Sequence, residues 1–392
     1  MSRELISHNE DLLKLHKLGL ELEVRCGHLL LKHVPHVTSD GTVEYGVLVA
    51  KLDLAGDKTV KPKQHQVWFI GKQPCDKNGR EIPQIKLNDE RKELCEGLIV
   101  DRQFSNKPPN GYENFFHKMM TYLNIISGPA EAVDPRVTAR TYADCENDEE
   151  SVFQYADTAS SRAEIGSIST RLAGHKIAIV GLGGTGSYIL DLVAKTPVSE
   201  IHLYDGDRFL QHNAFRSPGA PSLRVLRRVP FKVDHFKRLY SKMHKGIRAH
   251  RKFLDAGSAE ELASVDFVFL CLDSGAARKE LIDVLNKLNK TFIDVGMGIE
   301  AVAGKRTLIG TLRVSTSTPD DRSGEGRIPQ RDPIDDPDGI YVNNIQVADL
   351  NCLNATLAVL KWKKLCGFYQ DLEHETFSAY SINTNQLASE ES

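Results

Sequence analysis

Hydrophobic and polar positions in the first part of the chain change period several times over short distances. Leucines at helical spacing over residues 9–18 predict a helix, and the long apolar face of residues 112–126 predicts another. Strand-like alternation predicts strands at 20–24, 28–34, 42–52 and 66–70. These elements predict a smaller α+β domain over residues 1–130, followed by a linker over 131–160 that contains an acidic run.

From about residue 170 the pattern changes to apolar strands that alternate with helices. Strands are predicted at 175–180, 200–204, 267–272 and 291–295. Helices are predicted at 186–195, 278–289 and 345–366. This alternation is typical of an α/β fold, and over residues 161–392 it predicts a Rossmann-like, doubly wound and mostly parallel sheet. Residues 299–303 and 307–314 predict an antiparallel hairpin at the edge of that sheet.

Composition narrows the class of protein. A chain of 392 residues with 41% hydrophobic and 26% charged residues is typical of a globular protein with two domains. A formal net charge of −3 gives no clear nucleic-acid signal. No apolar run reaches membrane-spanning length and the N-terminus has no signal-peptide core, so we expect a cytoplasmic protein without a membrane partner. Seven scattered cysteines argue against a disulfide scaffold and against a thiolate zinc site.

A glycine-rich turn joins the first strand of the second domain to its first helix. Residues 176–187 read Lys-Ile-Ala-Ile-Val-Gly-Leu-Gly-Gly-Thr-Gly-Ser. The glycines of this turn are Gly181, Gly183, Gly184 and Gly186. Because small residues let backbone N–H groups and a helix N-terminus approach phosphate oxygens, the turn predicts a nucleotide site.

Polar residues after the next strand indicate which nucleotide chemistry is favoured. Asp205 ends that strand nineteen residues after Gly186, where a carboxylate can accept hydrogen bonds from ribose hydroxyls. A hydride-transfer site has no need of Asn213 and Arg216, which follow. A triphosphate site does need such residues, because arginine can donate two hydrogen bonds to phosphate oxygens and asparagine can donate one without adding charge.

Two further charges complete the pattern. Lys232, at the start of a predicted helix, supplies a point charge for phosphates, with Lys237 as the alternative position. Asp273 ends a buried strand at the carboxyl edge of the sheet, where a carboxylate can hold Mg²⁺ against phosphates. Each charge taken singly is typical of an ordinary surface residue, and their order along one domain is what favours a site.

The order of these residues matches a known family pattern: Gly-x-Gly-Gly-x-Gly, Asp-x-Asp, Asn-x-x-Arg, Lys, and a strand-terminal Asp. Residues 161–365 resemble the ThiF/MoeB/ubiquitin-activating (E1-like) superfamily of adenylating enzymes. The resemblance implies that Asp205 and Asp207 belong to the nucleotide site, with Asp205 on the ribose. It implies that Asp273 holds Mg²⁺. The phosphate-binding residues that it implies are Asn213, Arg216 and Lys232.

A further match lies upstream of the first strand. The stretch around Arg162 resembles the family's Arg-Gln-Ile segment, whose arginine reaches the ATP of the opposite subunit. The resemblance therefore implies a homodimer in which Arg162 acts across the two-fold axis. Because Ala163 stands where the family has glutamine, an ordinary linker arginine is the alternative.

The resemblance implies a function as well as a fold. It implies ATP- and Mg²⁺-dependent adenylation of the C-terminal carboxylate of a ubiquitin-like or sulfur-carrier protein, in a bacterial ubiquitin-like conjugation pathway. A conjugating-enzyme-like protein is a further expected partner, and the N-terminal domain is expected to recognise the carrier or that partner. The alternatives left open are a small molecule, a peptide or a tRNA base as the substrate, an NAD-dependent oxidoreductase, and a non-catalytic scaffold.

The acceptor of the activated group is less defined. Many relatives use a cysteine in the loop that corresponds to residues 315–343, and this segment has none. Cys271 and Cys352 are predicted core thiols, whereas Cys75 in a polar turn is the most exposed candidate. A partner thiol is favoured over a loop hydroxyl, for which the candidates are Ser315, Thr316, Ser317, Thr318 and Ser323. Four aspartates are interpreted as a solvated loop rather than a metal site: Asp332, Asp335, Asp336 and Asp338.

Overall fold

The computed structural model describes residues 2–143, 151–157, 159–160, 165–302, 304, 306–330 and 345–390. Within it the chain divides into two compact units, residues 1–151 with 155–164 and residues 152–154 with 165–392. Arg162, the acidic run at 146–150 and the four aspartates at 332–338 lie outside the described residues. No helix among those described is long and apolar enough to cross a membrane.

The first unit is an antiparallel sheet covered on one face by a long helix. Its helices are α1 (Ser2–Ser7), α2 (Glu10–Lys17) and α3 (Phe115–Val133). Its strands are β1 (Leu22–Arg25), β2 (His28–Val37), β3 (Val43–Lys51), β4 (Leu54–Ala55), β5 (Lys58–Thr59), β6 (Gln66–Ile70), β7 (Lys86–Asn88), β8 (Lys92–Cys95), β9 (Leu98–Val100) and β10 (Arg102–Ser105). The main sheet runs in the order β1-β2-β3-β6-β10-β7. Its core joins Leu31, Phe69 and Phe104 of the sheet to Met119 and Tyr122 of α3.

Helix α3 is longer than its sequence pattern predicts. Asn114 caps it, since the side-chain oxygen accepts a hydrogen bond from the His117 N–H at 2.9 Å. The helix then continues through Pro129 to Val133, three residues into the predicted linker. Proline removes one helical hydrogen bond. Ile126 and Ala130 are both fully buried on either side of it, and this apolar packing carries the helix past the break.

Two cysteine predictions for this unit are wrong. Cys26, in the β1–β2 turn, and Cys95, at the end of β8, are joined in a disulfide with their Cα atoms 6.5 Å apart. Spacing along the chain did not indicate this pair, because it depends on the approach of two turns separated by 69 residues. Cys75 is fully buried rather than exposed, since its N–H bonds to the carbonyl of Val37 and draws the turn against β2.

The second unit is the predicted doubly wound sheet. Its helices are α4 (Gly166–Ser169), α5 (Gly184–Val193), α6 (Gln211–Ala214), α7 (Leu223–Leu226), α8 (Lys232–Tyr240), α9 (Gly275–Lys287) and α10 (Ala348–Leu365). Its strands are β11 (Lys176–Val180), β12 (Glu200–Tyr204), β13 (Ile247–His250), β14 (Phe267–Leu270), β15 (Thr291–Ala301), β16 (Leu308–Ser317), β17 (Phe377–Ser381) and β18 (Gln386–Glu390). The strand order is β13-β12-β11-β14-β15-β16-β17-β18. Strands β11 to β15 are parallel and the rest are antiparallel, which confirms the predicted fold class.

Helices cover both faces of this sheet. One core cluster packs α5, α8 and α10 against one face, with Ile179, Phe236 and Trp362 at its centre. A second cluster packs α9 against the other face through Leu281 and Leu285. This two-sided burial explains why the parallel strands read as continuous apolar runs.

The antiparallel side of the sheet departs from the sequence prediction. The runs predicted as separate strands at 291–295 and 299–303 belong to one strand, β15, because Gly296 and Gly298 pair with Arg313 and Thr311 in an unbroken ladder. Backbone pairing of this kind leaves no hydrophobic pattern in the sequence. Strands β13, β17 and β18 have no counterpart in the sequence prediction. One side of each is polar, so these short strands show no continuous apolar run.

Strand order places the predicted site residues together. In the parallel part of the sheet the chain order reverses between β11 and β14, and ligands bind outside the carboxyl ends of the strands at such a switch point. The glycine-rich turn follows β11, Asp205 follows β12, and Asp273 lies three residues beyond β14. All three segments therefore meet at one edge of the sheet.

Candidate active site

Two glycines of the turn are required by the packing of the backbone itself. Gly181 has φ of +91°, in the left-handed region that favours glycine. A Cβ on Gly181 would strike the carbonyl of Cys271, and a Cβ on Gly186 would strike the carbonyl of Gly181. These two positions hold the turn between β11 and the end of β14.

The other two glycines face different surroundings. A Cβ on Gly184 would strike the side chain of Asn351, whereas a Cβ on Gly183 would meet no atom within 4 Å. Gly183 is the N-cap residue of α5 and, as a glycine, has no side chain to cap the helix. The helix N-terminus, with its unpaired N–H groups and positive dipole end, therefore has open space in front of it.

Asn351 is a site residue that sequence reasoning missed. It is fully buried on α10, where its Oδ1 accepts from the Thr185 hydroxyl at 3.0 Å and its Nδ2 donates to the Arg216 carbonyl at 3.4 Å. One side chain thus joins the first turn of α5 to the segment that carries Arg216. Asn351 shares the buried side of α10 with Asn354 and Lys361, and polar residues at such positions were the available signal.

Asp205 organises the turn through its carboxylate. The side chain is 5% exposed, Oδ2 accepts from the Leu182 N–H at 2.7 Å, and Oδ1 accepts from the Asp207 N–H at 2.8 Å. Lys232 lies 3.4 Å from Asp205 and 2.7 Å from Asp207, measured from Nζ to the carboxylate oxygens. Asp207 is largely exposed while Lys232 is buried, so the lysine crosses from the interior to the rim of the site. Lys237, the alternative position, lies exposed further along α8.

Asn213 and Arg216 contribute buried donors that remain unused. Asn213 Oδ1 accepts from the Leu210 N–H at 2.8 Å, which closes the loop around α6. Its Nδ2 and the Arg216 Nε are buried and have no hydrogen-bond partner among the residues that the structure describes. Burial lowers the pKa of Arg216, and the nearby carboxylates of Asp273 and Asp207 oppose that shift. Unpaired buried donors are costly, so their retention here indicates a ligand that accepts from them.

Asp273 lies exposed at the edge of this arrangement, close enough to Arg216 for the two charges to interact. Its loop is held from behind by Arg278, which donates to the carbonyl of Leu272 and, at 2.9 Å, to that of Pro329. Arg278 also lies 2.8 Å from the fully buried carboxylate of Asp294. In the described part of the chain no three metal-ligating side chains converge.

The predicted hydroxyl acceptors are mostly inaccessible. Ser315, Thr316 and Ser317 are part of β16 rather than of a loop, and all three are buried. The Ser315 hydroxyl accepts from Arg313, and the Ser317 hydroxyl donates to Glu325 at 2.6 Å. Among the candidates, Ser323 is exposed and Thr318 is half-buried. The segment from 331 onward, up to residue 344, is outside the described residues.

Burial makes the Cys271 thiol of this unit a poor nucleophile. Burial raises the pKa of the Cys271 thiol, which lies directly behind the glycine-rich turn. Cys352 is half-buried on α10, in the helix where a packed thiol is predicted. Since the thiolate is the reactive form, a raised pKa makes Cys271 inert.

Two family models match this chain. The model of the ThiF family matches residues 162–318, and the model of a domain of unknown function, DUF6791, matches residues 10–158. Ubiquitin-like modifier-activating enzyme 5 of Aedes aegypti is 28% identical over 157 residues, which cover 37% of this chain and 40% of that protein. The Mus musculus enzyme of the same name is 27% identical over 158 residues, 37% of this chain and 39% of that protein. The chain thus spans about two fifths of the length of the curated relatives it matches.

Solved structures with a similar fold include E. coli MccB crystallised with AMPCPP and MccA. The TM-score is 0.47 at 15% identity, over 60% of this chain and 71% of that one. The structure of PaaA gives a TM-score of 0.44 at 18% identity, over 57% of this chain and 75% of that one. Residues 162–318 therefore match the ThiF family, and residues 10–158, which precede them in the same chain, match DUF6791.

Proposed function

We propose that the second unit binds ATP and adenylates the C-terminal carboxylate of a ubiquitin-like or sulfur-carrier protein. The observation that carries the proposal is the pair of buried, unpaired donors at Asn213 and Arg216, which lack a partner within the described residues. They lie in the segment tied by Asn351 to a helix N-terminus with open space in front of it. Phosphate oxygens satisfy all of these groups at once.

Charge favours a triphosphate over a dinucleotide of the NAD type. Arg216 and Lys232 supply two cations, and Asp205 and Asp207 hold the lysine beside the turn. A hydride-transfer site gains nothing from this concentration of phosphate-binding groups beyond the ribose position. The proposed roles are therefore phosphate binding for Asn213, Arg216 and Lys232, and ribose binding for the Asp205–Asp207 segment.

In the proposed reaction a carboxylate oxygen of the carrier attacks the α-phosphorus of ATP. A new P–O bond forms, the bond from the α-phosphorus to the bridging oxygen breaks, and pyrophosphate leaves with its electron pair. No protein nucleophile is needed, since positioning and neutralisation of the developing charge supply the catalysis. Asp273 would hold Mg²⁺, which neutralises phosphate charge when bound. Arg162 of the second copy in a homodimer completes the proposed set.

The proposed enzyme stops at the acyl-adenylate. Ser315 and Ser317 are buried and hydrogen-bonded, and burial raises the pKa of Cys271, so none of the three suits an acyl acceptor. A thiol on a partner, such as a conjugating-enzyme-like protein, would collect the activated group. We assign recognition of the carrier or of that partner to the first unit, and the setting to the cytoplasm, in a bacterial ubiquitin-like conjugation pathway.

The test is ATP–pyrophosphate exchange with carriers that end in Gly-Gly, taken from genes adjacent to this one. Exchange is expected with one of them and is expected to fall by about a hundredfold in Arg216→Ala and Asp273→Ala. Lys287→Ala, an exposed cation on α9, is the matched control and should keep full exchange. Absence of exchange with every carrier, or thermal stabilisation by NAD in preference to Mg-ATP, would contradict the proposal.

A further inference from the structure

A concentrated positive charge lies in one stretch of the second unit. Residues 206–252 contain thirteen lysines and arginines, eight of them arginine, against two aspartates. That is a formal excess of eleven positive charges within a chain whose net charge is −3. The net charge of the whole chain hides this local excess, so the net charge does not report on binding at this stretch.

Most of this charge is at the surface. Ten of the thirteen cations are exposed. Both aspartates already have cationic partners: Asp207 pairs with Lys232 at 2.7 Å, and Asp234 pairs with Arg251 at 2.8 Å. The stretch therefore presents a surface with little acidic compensation of its own.

Six of the exposed cations lie on α8, precede it in the sequence by a few residues, or pack against its first turn, and we name them the cationic flank: Arg208, Arg227, Arg228, Lys237, Arg238 and Arg251. Arg208 and Arg251 both stack on the ring of Phe231, with guanidinium carbons 3.7 and 5.4 Å from its centroid. Arg208 also donates to the carbonyl of Val229, the residue after Arg228, at 3.2 Å. Asp234 on α8 holds Arg251, and Lys237 follows one helical turn later.

Exposed aromatic rings accompany the cations. Phe215, beside Arg216, is 78% exposed, and Phe253 is 66% exposed. Phe253 lies against Gly206, since a Cβ on that glycine would come within 3.0 Å of the ring. Exposed aromatic rings beside arginines are the means by which proteins stack unpaired bases.

We propose that the cationic flank binds single-stranded nucleic acid. Its five arginines and one lysine contact phosphates, and Phe253 stacks on a base. An acidic protein is the alternative occupant, and the repetition of one sign of charge beside exposed aromatic rings favours the nucleic acid. The proposal goes beyond adenylation and does not depend on it.

The test measures binding of the full chain to a fluorescent single-stranded RNA of mixed sequence, about 30 nucleotides long, by anisotropy. Affinity is expected to fall steeply between about 50 and about 200 mM salt, because binding releases counterions from phosphates. The variant Lys237→Glu/Arg238→Glu is expected to weaken binding by about tenfold or more. Loss of two phosphate contacts should also reduce the slope of log affinity against log salt by about 1.4. Lys237→Gln/Arg238→Gln, which removes the two charges without reversing them, should show a smaller loss of RNA affinity. This variant tests the proposal if the charge-reversed variant does not fold.

Matched controls distinguish binding at the cationic flank from an effect of the overall charge of the protein. Lys279→Glu/Lys287→Glu makes the same charge change at exposed positions on α9 and should leave affinity within about twofold. Phe253→Ala should weaken RNA binding by about tenfold while leaving polyglutamate binding unchanged. The proposal is overturned by salt-independent binding, by equal losses in the two charge reversals, or by polyglutamate binding as tightly as RNA with no effect of Phe253→Ala.

Discussion

Adding one methyl group at Gly184 should destabilise the second unit through a single identifiable contact. The new Cβ would lie closer than 3.0 Å to three atoms of Asn351, at a residue that is fully buried and hydrogen-bonded on two sides. Asn351 cannot swing into solvent from that position. Either its bonds to Thr185 and Arg216 break, or α10 moves away from α5.

The magnitude follows from those two costs. Overpacking of this size costs about 2 kcal/mol, and weakening two hydrogen bonds costs about 1 kcal/mol each. Replacing glycine by alanine at the start of a helix returns about 0.5 kcal/mol. We therefore expect Gly184→Ala to lower the free energy of unfolding by about 3.5 kcal/mol.

The assay is urea unfolding in a Trp68→Phe background, in which Trp362, fully buried in the core of the second unit, reports the transition. Gly183→Ala is the matched control: the same methyl would meet no atom within 4 Å, so stability should stay within about 0.5 kcal/mol. The same control variant should lose stabilisation by Mg-ATP, because its methyl would enter the space proposed for phosphate.

A double-mutant cycle supplies the decisive comparison. Asn351→Ala removes the obstructing side chain, so Gly184→Ala/Asn351→Ala should be more stable than the sum of the single losses predicts, by about 2 kcal/mol. Strict additivity of the two substitutions would refute the reasoning, since it would place the cost of the added methyl somewhere other than Asn351.

Three further predictions concern other parts of the molecule. Lys232→Ala should lower the free energy of unfolding by about 3 kcal/mol in urea, because it strands a buried carboxylate, whereas the exposed Lys237→Ala should change it by less than about 0.5 kcal/mol. Burial lowers the pKa of His235 to about 4, below its unfolded value, so the stability it contributes is present above about pH 6.5 and is lost as the pH falls toward 4. The loss from pH 7 to pH 5 should be about 2 kcal/mol smaller in His235→Phe, and equal pH dependence would contradict the assignment. Reducing the disulfide between Cys26 and Cys95 opens a 69-residue loop and should cost the first unit about 2–4 kcal/mol, measured as a reductant-dependent urea midpoint that Cys26→Ser/Cys95→Ser lacks.

The sequence alone determined the class of fold and the edge of the sheet where the candidate site lies. Apolar runs that alternate with helices predict parallel strands covered on both faces, and the carboxyl ends of such strands meet at one edge. Glycines after β11, Asp205 after β12 and Asp273 after β14 are therefore brought together by chain order and strand direction. Their proximity can be predicted from the sequence because chain order and strand direction both follow from local sequence patterns.

Only the tertiary structure decided which atoms are free for a ligand and which are already engaged. Asn351 lies 166 residues from Thr185 along the chain, and no period relates the two. The burial of Ser317, the Cys26–Cys95 bond and the packing of Arg208 and Arg251 on Phe231 likewise depend on contacts between separate segments. Periodicity in the sequence predicts that a side chain is buried. Which residues contact that side chain is decided by packing between elements.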